Sequence, residues 1–155
     1  MIREILTHDR EEIVRLIEAT GNFSEAEVGI AKELIDICIE QSDQQDYIGY
    51  VTEIDERIAG FLIFGPTPAT TGTYDMYWIA VHPDFQGQGV AQDLDDFIVE
   101  FVHQRGGYLI IAETSGQPSY ERTRAFYAKQ SYEKLAQIPD YYKPGDDLII
   151  FGKRI

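Results

Sequence analysis

The sequence predicts an α/β fold of seven strands and four helices, and three observations carry that prediction. The aromatic and β-branched run Tyr77-Trp78-Ile79-Ala80-Val81 reads as a buried strand. It passes through a glycine-bearing loop, His82 to Gly89, into a segment where Val90, Leu94, Phe97, Ile98, Phe101 and Val102 recur at helical spacing, with Asp93, Asp95, Asp96 and Glu100 between them. Further on, Tyr108-Leu109-Ile110-Ile111-Ala112-Glu113-Thr114 is a continuous apolar run, the pattern of a strand covered on both faces. Strands and helices alternate along the rest of the chain, which points to a mixed sheet with helices packed on it.

Taken in order, Ile2 to Leu6 forms a short first strand. Asp9 with Glu12 has the spacing of a capping box, and Ile13, Leu16 and Ile17 follow on one helical face, stopped by Gly21. Ser24 with Glu27 is a second capping box, opening a helix with Val28, Ala31, Leu34, Ile35 and Cys38 on its apolar side. Between the two helices, Phe23 is expected to staple onto the second one. Tyr47 to Ile54 and Ile58 to Phe64 read as a hairpin turning at Asp55-Glu56-Arg57. The breaker-rich stretch Gly65 to Gly72 leads into the fourth strand, Thr73 to Val81, where simple alternation puts Asp75, Tyr77, Ile79 and Val81 on one face. Gly106-Gly107 ends the central helix. A last helix runs from about Tyr120 to Lys129, and Tyr132 to Ile138 and Leu148 to Lys153 close the chain as two strands around a loop, Pro139 to Gly145.

A chain of 155 residues with 44% hydrophobic residues, ten Tyr and eight Phe is sized for one domain, residues 1–155, around a single core. No stretch reaches membrane-span length, Met1-Ile2-Arg3-Glu4 does not read as a signal peptide, and the lone Cys38 offers neither a disulfide framework nor a Cys-x-x-Cys metal site. The expectation is a cytoplasmic protein with no membrane partner and no metal. A net charge of −14 argues against nucleic acid, whose phosphates need a basic patch; it would attract a cationic partner such as an amine, and it fits a charge that merely aids solubility at least as well.

The glycine loop bears on chemistry. Backbone N–H groups at a helix start lack internal partners and carry partial positive charge, so a glycine loop there suits an anion, phosphate above all. Gln88-Gly89-Val90 has neither the Lys nor the hydroxyl of a Walker loop, and Gly87 and Gly89 are two of the three glycines a dinucleotide fingerprint needs. The pattern Gln86-x-x-Gly89-x-Ala91, entered through Ile79-Ala80-Val81, instead resembles the pyrophosphate loop of the GNAT superfamily of acyl-CoA N-acyltransferases. The order of elements matches that family throughout. Phe126-Tyr127 with Tyr132 resembles its Phe-Tyr-x-x-x-Gly-Phe, although Ser131 replaces the glycine and Tyr120 stands where many members have Asn.

The resemblance implies a GNAT fold, a mixed and mostly antiparallel sheet of about seven strands splayed between the fourth and fifth and flanked by four helices. It implies acetyl-CoA as acyl donor, its pyrophosphate held by Gln86, Gly87, Gln88, Gly89, Val90 and Ala91, and its pantetheine arm lying along Ile79, Ala80 and Val81. The loop has no Lys or Arg, so the grip rests on backbone donors and the helix terminus. The same resemblance implies Tyr127 as the acid that protonates the departing thiolate. Asp75 falls where some members place a catalytic carboxylate, with Glu113 as the competing base. The expected reaction is transfer of acetyl to a primary amine of a small molecule or peptide by direct attack. A non-catalytic acyl-CoA-binding domain is the alternative, and the resemblance allows a homodimer. Cys38 sits on an apolar helical face without a neighbouring His, which reads as a small buried hydrophobe, not a nucleophile.

Overall fold

The computed structural model describes residues 1–155 throughout. Its elements are β1 (Ile2–Glu4), α1 (Arg10–Thr20), α2 (Glu25–Glu40), β2 (Ile48–Ile54), β3 (Arg57–Pro66), β4 (Thr73–Val81), α3 (Val90–Gln104), β5 (Leu109–Ser115), α4 (Glu121–Lys129), β6 (Glu133–Lys143) and β7 (Asp146–Arg154). They form one seven-stranded sheet in the order β1-β2-β3-β4-β5-β7-β6. Every pairing is antiparallel except β4 with β5. No helix is long and apolar enough to cross a membrane.

Helices cover the two faces of the sheet. The stripe Val90, Leu94, Ile98 and Val102 buries α3 against Leu62, Phe64, Met76 and Ile110. Ile13, Leu16 and Ile17 of α1, with Ala31 and Ile35 of α2, bury against Val51, Phe61 and Ile63 on the other face. Each such aliphatic side chain contributes about 1.5–3 kcal/mol on burial, so these stripes fix both helix layers on the sheet. The β2–β3 hairpin turns through Asp55 and Glu56, both at positive φ (50° and 60°), the backbone of a primed two-residue turn.

Three local expectations change. Ser24 and Glu27 do form a capping box (Glu27 N–H to Ser24 Oγ 3.2 Å, Ser24 N–H to Glu27 Oε1 3.3 Å). Asp9 and Glu12 do not. Asp9 takes the Leu6 N–H (2.7 Å), closing the 3-10 turn Thr7–Asp9 ahead of α1, and both arms of Arg3 (2.7 and 2.9 Å), while Glu12 accepts the Ile58 N–H (2.8 Å) from β3, so the two carboxylates do not pair as a box at the start of α1. β6 also runs on to Lys143 where a loop is expected from Pro139. Four residues, Pro139 to Tyr142, bulge opposite β7, pinned by the Asp140 N–H bond to Asp147 Oδ1 (3.0 Å).

The third change bears on the site. Ile63 pairs with Trp78 and Phe64 with Met76, which leaves Tyr77 as an extra, unpaired residue in β4. This bulge reverses the alternation. Tyr74, Met76, Ile79 and Val81 pack on the α3 side, and Trp78 and Ala80 on the α1 side. Asp75, next to Met76, therefore lies on the face opposite Ile79 and Val81, not the same one.

Candidate active site

The β4–β5 ladder has four rungs, from Thr73 opposite Leu109 to Met76 opposite Ala112. Beyond them β5 continues to Ser115 alongside β7, and β4 continues to Val81 alongside β3. The sheet is therefore split at its centre, and the β5-facing edge of Tyr77 to Val81 has no strand partner. The bulge at Tyr77 marks where β4 turns away.

The cleft at the end of this split has a volume of about 530 Å³. One wall is the β4–α3 connection, with Ile79, Ala80, Val81, Gln86, Gly87, Gly89, Val90 and Ala91 lining it. Gly89 is the residue before α3 and sits at φ 83°, and Gly87 at φ 77°. A Cβ at either position would meet nothing within 4 Å, so glycine is required here by backbone conformation and not by space. No side chain caps α3. The first intrahelical bond is Asp93 N–H to Gly89 C=O (2.9 Å), and no amide from Gly87 to Gln92 donates to any protein group. A row of unpaired donors at a helix start is a strong anion site. The loop behind it is braced: His82 Nδ1 accepts the Asp84 N–H (3.1 Å), and Arg57 bonds Asp84 (2.8 Å) while lying over the Phe85 ring. Gln88 does not line the cleft. Its side chain folds back onto the Asp84 carbonyl (3.2 Å), leaving only its amide available.

The facing wall comes from α4 and brings two cations, Arg122 and Lys129, with Phe126 between them in sequence. Side-chain cations thus line the cleft besides the loop amides. Asn22 and Phe23 of the α1–α2 loop complete the lining; Phe23 meets Trp78 edge-on (4.7 Å between ring centroids) and packs on the same core as Val28, Ala31 and Ile35 of α2.

Tyr127 projects from α4 into the core beneath the split, 5% exposed, between Tyr132 (5.2 Å) and Phe151 (5.4 Å). Its hydroxyl has no protein partner, and burial pushes its pKa well above the ordinary tyrosine value, so it stays protonated. Thr114, just past the last β4–β5 rung and on the same sheet face as Ala112, also buries a hydroxyl without a partner.

On the opposite face, Asp75 and Glu113 stand diagonally across the β4–β5 pair, because Asp75 is opposite Ile111. Asp75 accepts a hydrogen bond from Thr67 Oγ1 (2.8 Å). Glu113 is exposed at the mouth, and partial desolvation and then the Asp75 charge raise its carboxyl above the ordinary value. Tyrosines rim this mouth. Tyr47 and Tyr77 pack at 5.2 Å, and Tyr120 donates to Glu27 Oε2 (2.7 Å), tying the approach to α4 to the start of α2. Burial, with Asp75 and Asp46, pushes Tyr77 up to about 12; burial, with Glu113, Asp146 and Glu27, does the same to Tyr142. Carboxylates, with neighbouring tyrosines, act on this rim.

A family model described as an acetyltransferase (GNAT) domain matches residues 45–134. A GNAT-family protein from Desulfovibrio desulfuricans superposes with a TM-score of 0.95 at 37% identity, over 99% of this chain and 98% of that one. The chain belongs to the GNAT acetyltransferase family. None of the curated proteins matches it in sequence. More distant likenesses carry the fold alone. The ribosomal-protein-S18-alanine N-acetyltransferase of Escherichia coli aligns over 100% of this chain and 93% of its own (TM-score 0.77, 20% identity). An aminoglycoside 6′-N-acetyltransferase complexed with coenzyme A aligns over 99% and 96% (TM-score 0.77, 15% identity).

Within this GNAT fold, the split lies between the fourth and fifth strands, as the resemblance implies. Cys38 stays away from the cleft. Its Sγ points to the Tyr47 carbonyl (3.5 Å), and burial pushes the thiol up to about 11, which suits a packing role. Arg122 and Lys129 carry no local signal in the sequence. They are surface residues of an ordinary amphipathic helix until the fold sets α4 across from α3.

Proposed function

We propose that this GNAT chain, as one domain over residues 1–155, is an acetyl-CoA-dependent N-acetyltransferase acting on the primary amine of a small, cationic acceptor. The observation that carries the reading is the unbroken row of unpaired amides from Gly87 to Gln92, facing Arg122 and Lys129 across the cleft. Amides and a helix terminus suit the diphosphate, and the two cations suit the remaining phosphate charge. The arm of the cofactor then runs along Ile79, Ala80 and Val81 into the split, which brings the thioester above Tyr127.

The chemistry needs a free amine, a polarised carbonyl and a protonated leaving thiolate. A backbone N–H near Val81 faces the thioester oxygen in this arrangement. Glu113, with its raised pKa, removes the ammonium proton, directly or through a water, and Asp75 keeps that value raised. The amine nitrogen attacks the carbonyl carbon, the C–S bond breaks, Tyr127 hands its proton to the sulfur, and the second proton of the attacking nitrogen leaves through solvent, from which the Tyr127 phenolate regains its own. Glu113 is the better base of the pair because its carboxyl is not engaged in the hydrogen bond that occupies Asp75. The acidic, tyrosine-rimmed mouth supports an acceptor with a second positive charge and without a carboxylate of its own.

Thiol release from acetyl-CoA, measured across diamines, polyamines, aminoglycosides, amino acids and peptide N-termini, tests the reading. Multiply cationic amines should turn over best, and thiol release with none of them would leave a binding domain without chemistry. With the best acceptor, kcat/KM should fall as pH drops through the raised Glu113 value, because the base works deprotonated. Glu113→Gln should lower kcat/KM about 100-fold and remove that limb. Folding raises this carboxyl, so its contribution to stability is greatest at low pH and declines as pH rises through the folded value. The Gln variant should therefore melt slightly higher than the parent at neutral pH. A variant with full activity and an unchanged profile excludes Glu113 as the base.

A further inference from the structure

One hydrogen bond at the acidic mouth joins two helices that lie on opposite faces of the sheet. α4 buries Tyr127 in the core on the α3 side, whereas α2 packs on the other face. Yet Tyr120, the residue before α4, donates its hydroxyl to Glu27 Oε2 in the first turn of α2 (2.7 Å). Such a bond reaches around the end of the sheet. β5 stops at Ser115 and leads into the turn that carries Tyr120, while Phe23, just ahead of α2, rests on Trp78 of β4. The link therefore runs from the β5 side of the split to its β4 side, over the end where the strands have parted. Glu113 and Glu27 both act on Tyr142, and Tyr142 and Asp146 act on Tyr120, so the link stands beside the carboxylates of the mouth.

Both ends of the link are braced. Arg124 Nη1 donates to the Ser115 and Gln117 carbonyls (2.8 Å each), and Gln117 Nε2 to the Gly145 carbonyl (2.6 Å), which holds the turn before α4 against the β6–β7 turn. Glu27 is also half of the capping box with Ser24, so its other carboxylate oxygen is engaged too. The asparagine that many GNAT members carry at this position is too short to make the span.

We infer that Tyr120, through its bond to Glu27, is a specificity-determining residue that straps the acceptor mouth to the width of one unbranched chain, so that the acceptor is a linear aliphatic diamine or polyamine. This rests on the transferase reading above. A primary amine at the end of a methylene chain passes beside the Tyr120 ring to Glu113, its methylenes against the tyrosines of the rim. Its far ammonium stays at the strap, where Glu27 and Asp146 supply the opposite charge. An aminoglycoside ring, or a peptide N-terminus flanked by its side chain, is too broad for that opening.

Tyr120→Phe keeps the ring and removes the bond, and Tyr120→Ala removes both. With the parent, kcat/KM for a linear diamine should exceed that for an aminoglycoside or a peptide N-terminus about 100-fold. Tyr120→Ala should raise kcat/KM for the broad acceptors about tenfold, through KM, and lower it for the diamine, with Tyr120→Phe between the two. Coenzyme A affinity should not change, because Tyr120 does not line the cofactor cleft. A parent that uses broad and linear acceptors equally overturns the inference. So do variants that change every acceptor in the same proportion, the mark of a merely structural tie. If no amine releases thiol, the transferase reading fails, and calorimetry of the same amines into the coenzyme A complex decides the strap. It stands if only linear amines bind the parent and broad ones gain binding in Tyr120→Ala, and any other pattern overturns it.

Discussion

Tyr127→Phe lowers kcat for acetyl transfer by about one to three decades and leaves both cofactor affinity and stability nearly unchanged. The ring is held by Tyr132 and Phe151, and phenylalanine keeps those contacts. The hydroxyl makes no protein hydrogen bond, so its loss orphans no partner. What disappears is a protonated group under the split. Without it the thiolate leaves unprotonated, and the forward step slows while binding does not. Burial keeps the phenol protonated through neutral pH, so the parent shows no loss of this acid until well into the alkaline range. Steady-state kinetics with the best acceptor, set beside a thermal melt, separate the outcomes. Normal turnover removes Tyr127 from the acid role, and a large drop in melting temperature makes its role structural.

Lys153→Met destabilises the fold by about 3–5 kcal/mol, or roughly 10 °C in Tm for a chain of this size. Asp95 is fully buried in α3 and accepts two hydrogen bonds, from Tyr132 Oη (2.7 Å) and Lys153 Nζ (2.8 Å). Removing the lysine leaves a buried carboxylate with one neutral donor, the Tyr132 hydroxyl, which offsets only part of its desolvation. Asp95→Leu combined with Lys153→Met removes both charges and should recover most of the loss. Urea denaturation of the two variants checks this. A loss under about 1 kcal/mol for the single change would mean that the ion pair contributes no more than a surface bridge. The network also backs the site, since Tyr132 packs directly against Tyr127.

That network shows what one sequence conceals. Asp95 reads as one of four acids between the apolar positions of α3, the ordinary solvent face of an amphipathic helix, yet it is buried. Its partners lie 37 and 58 residues away, and no periodicity connects them. The legible parts are local. Ser24 and Glu27 announce a cap that forms, Asp55-Glu56 a turn that forms, and the Tyr77–Val102 stretch the strand, glycine loop and helix that are found. β4 itself was legible, but its faces were not. One extra residue at Tyr77 inverts the alternation, and the bulge has no local signature because it answers to the register with β3. Arg122 and Lys129 were missed for the same reason as Asp95, since only the packing of α4 across from α3 gives them a shared cleft.

Calorimetric titration of coenzyme A into the parent and into Gly89→Glu tests the anion cradle most directly. The account predicts saturable one-to-one binding to the parent. It predicts none to the variant, whose side chain places a carboxylate at the helix mouth and forces a β-carbon onto a backbone at φ 83°, while circular dichroism shows the fold retained. Equal affinity in the two proteins, or no heat with the parent at millimolar coenzyme A, would contradict it.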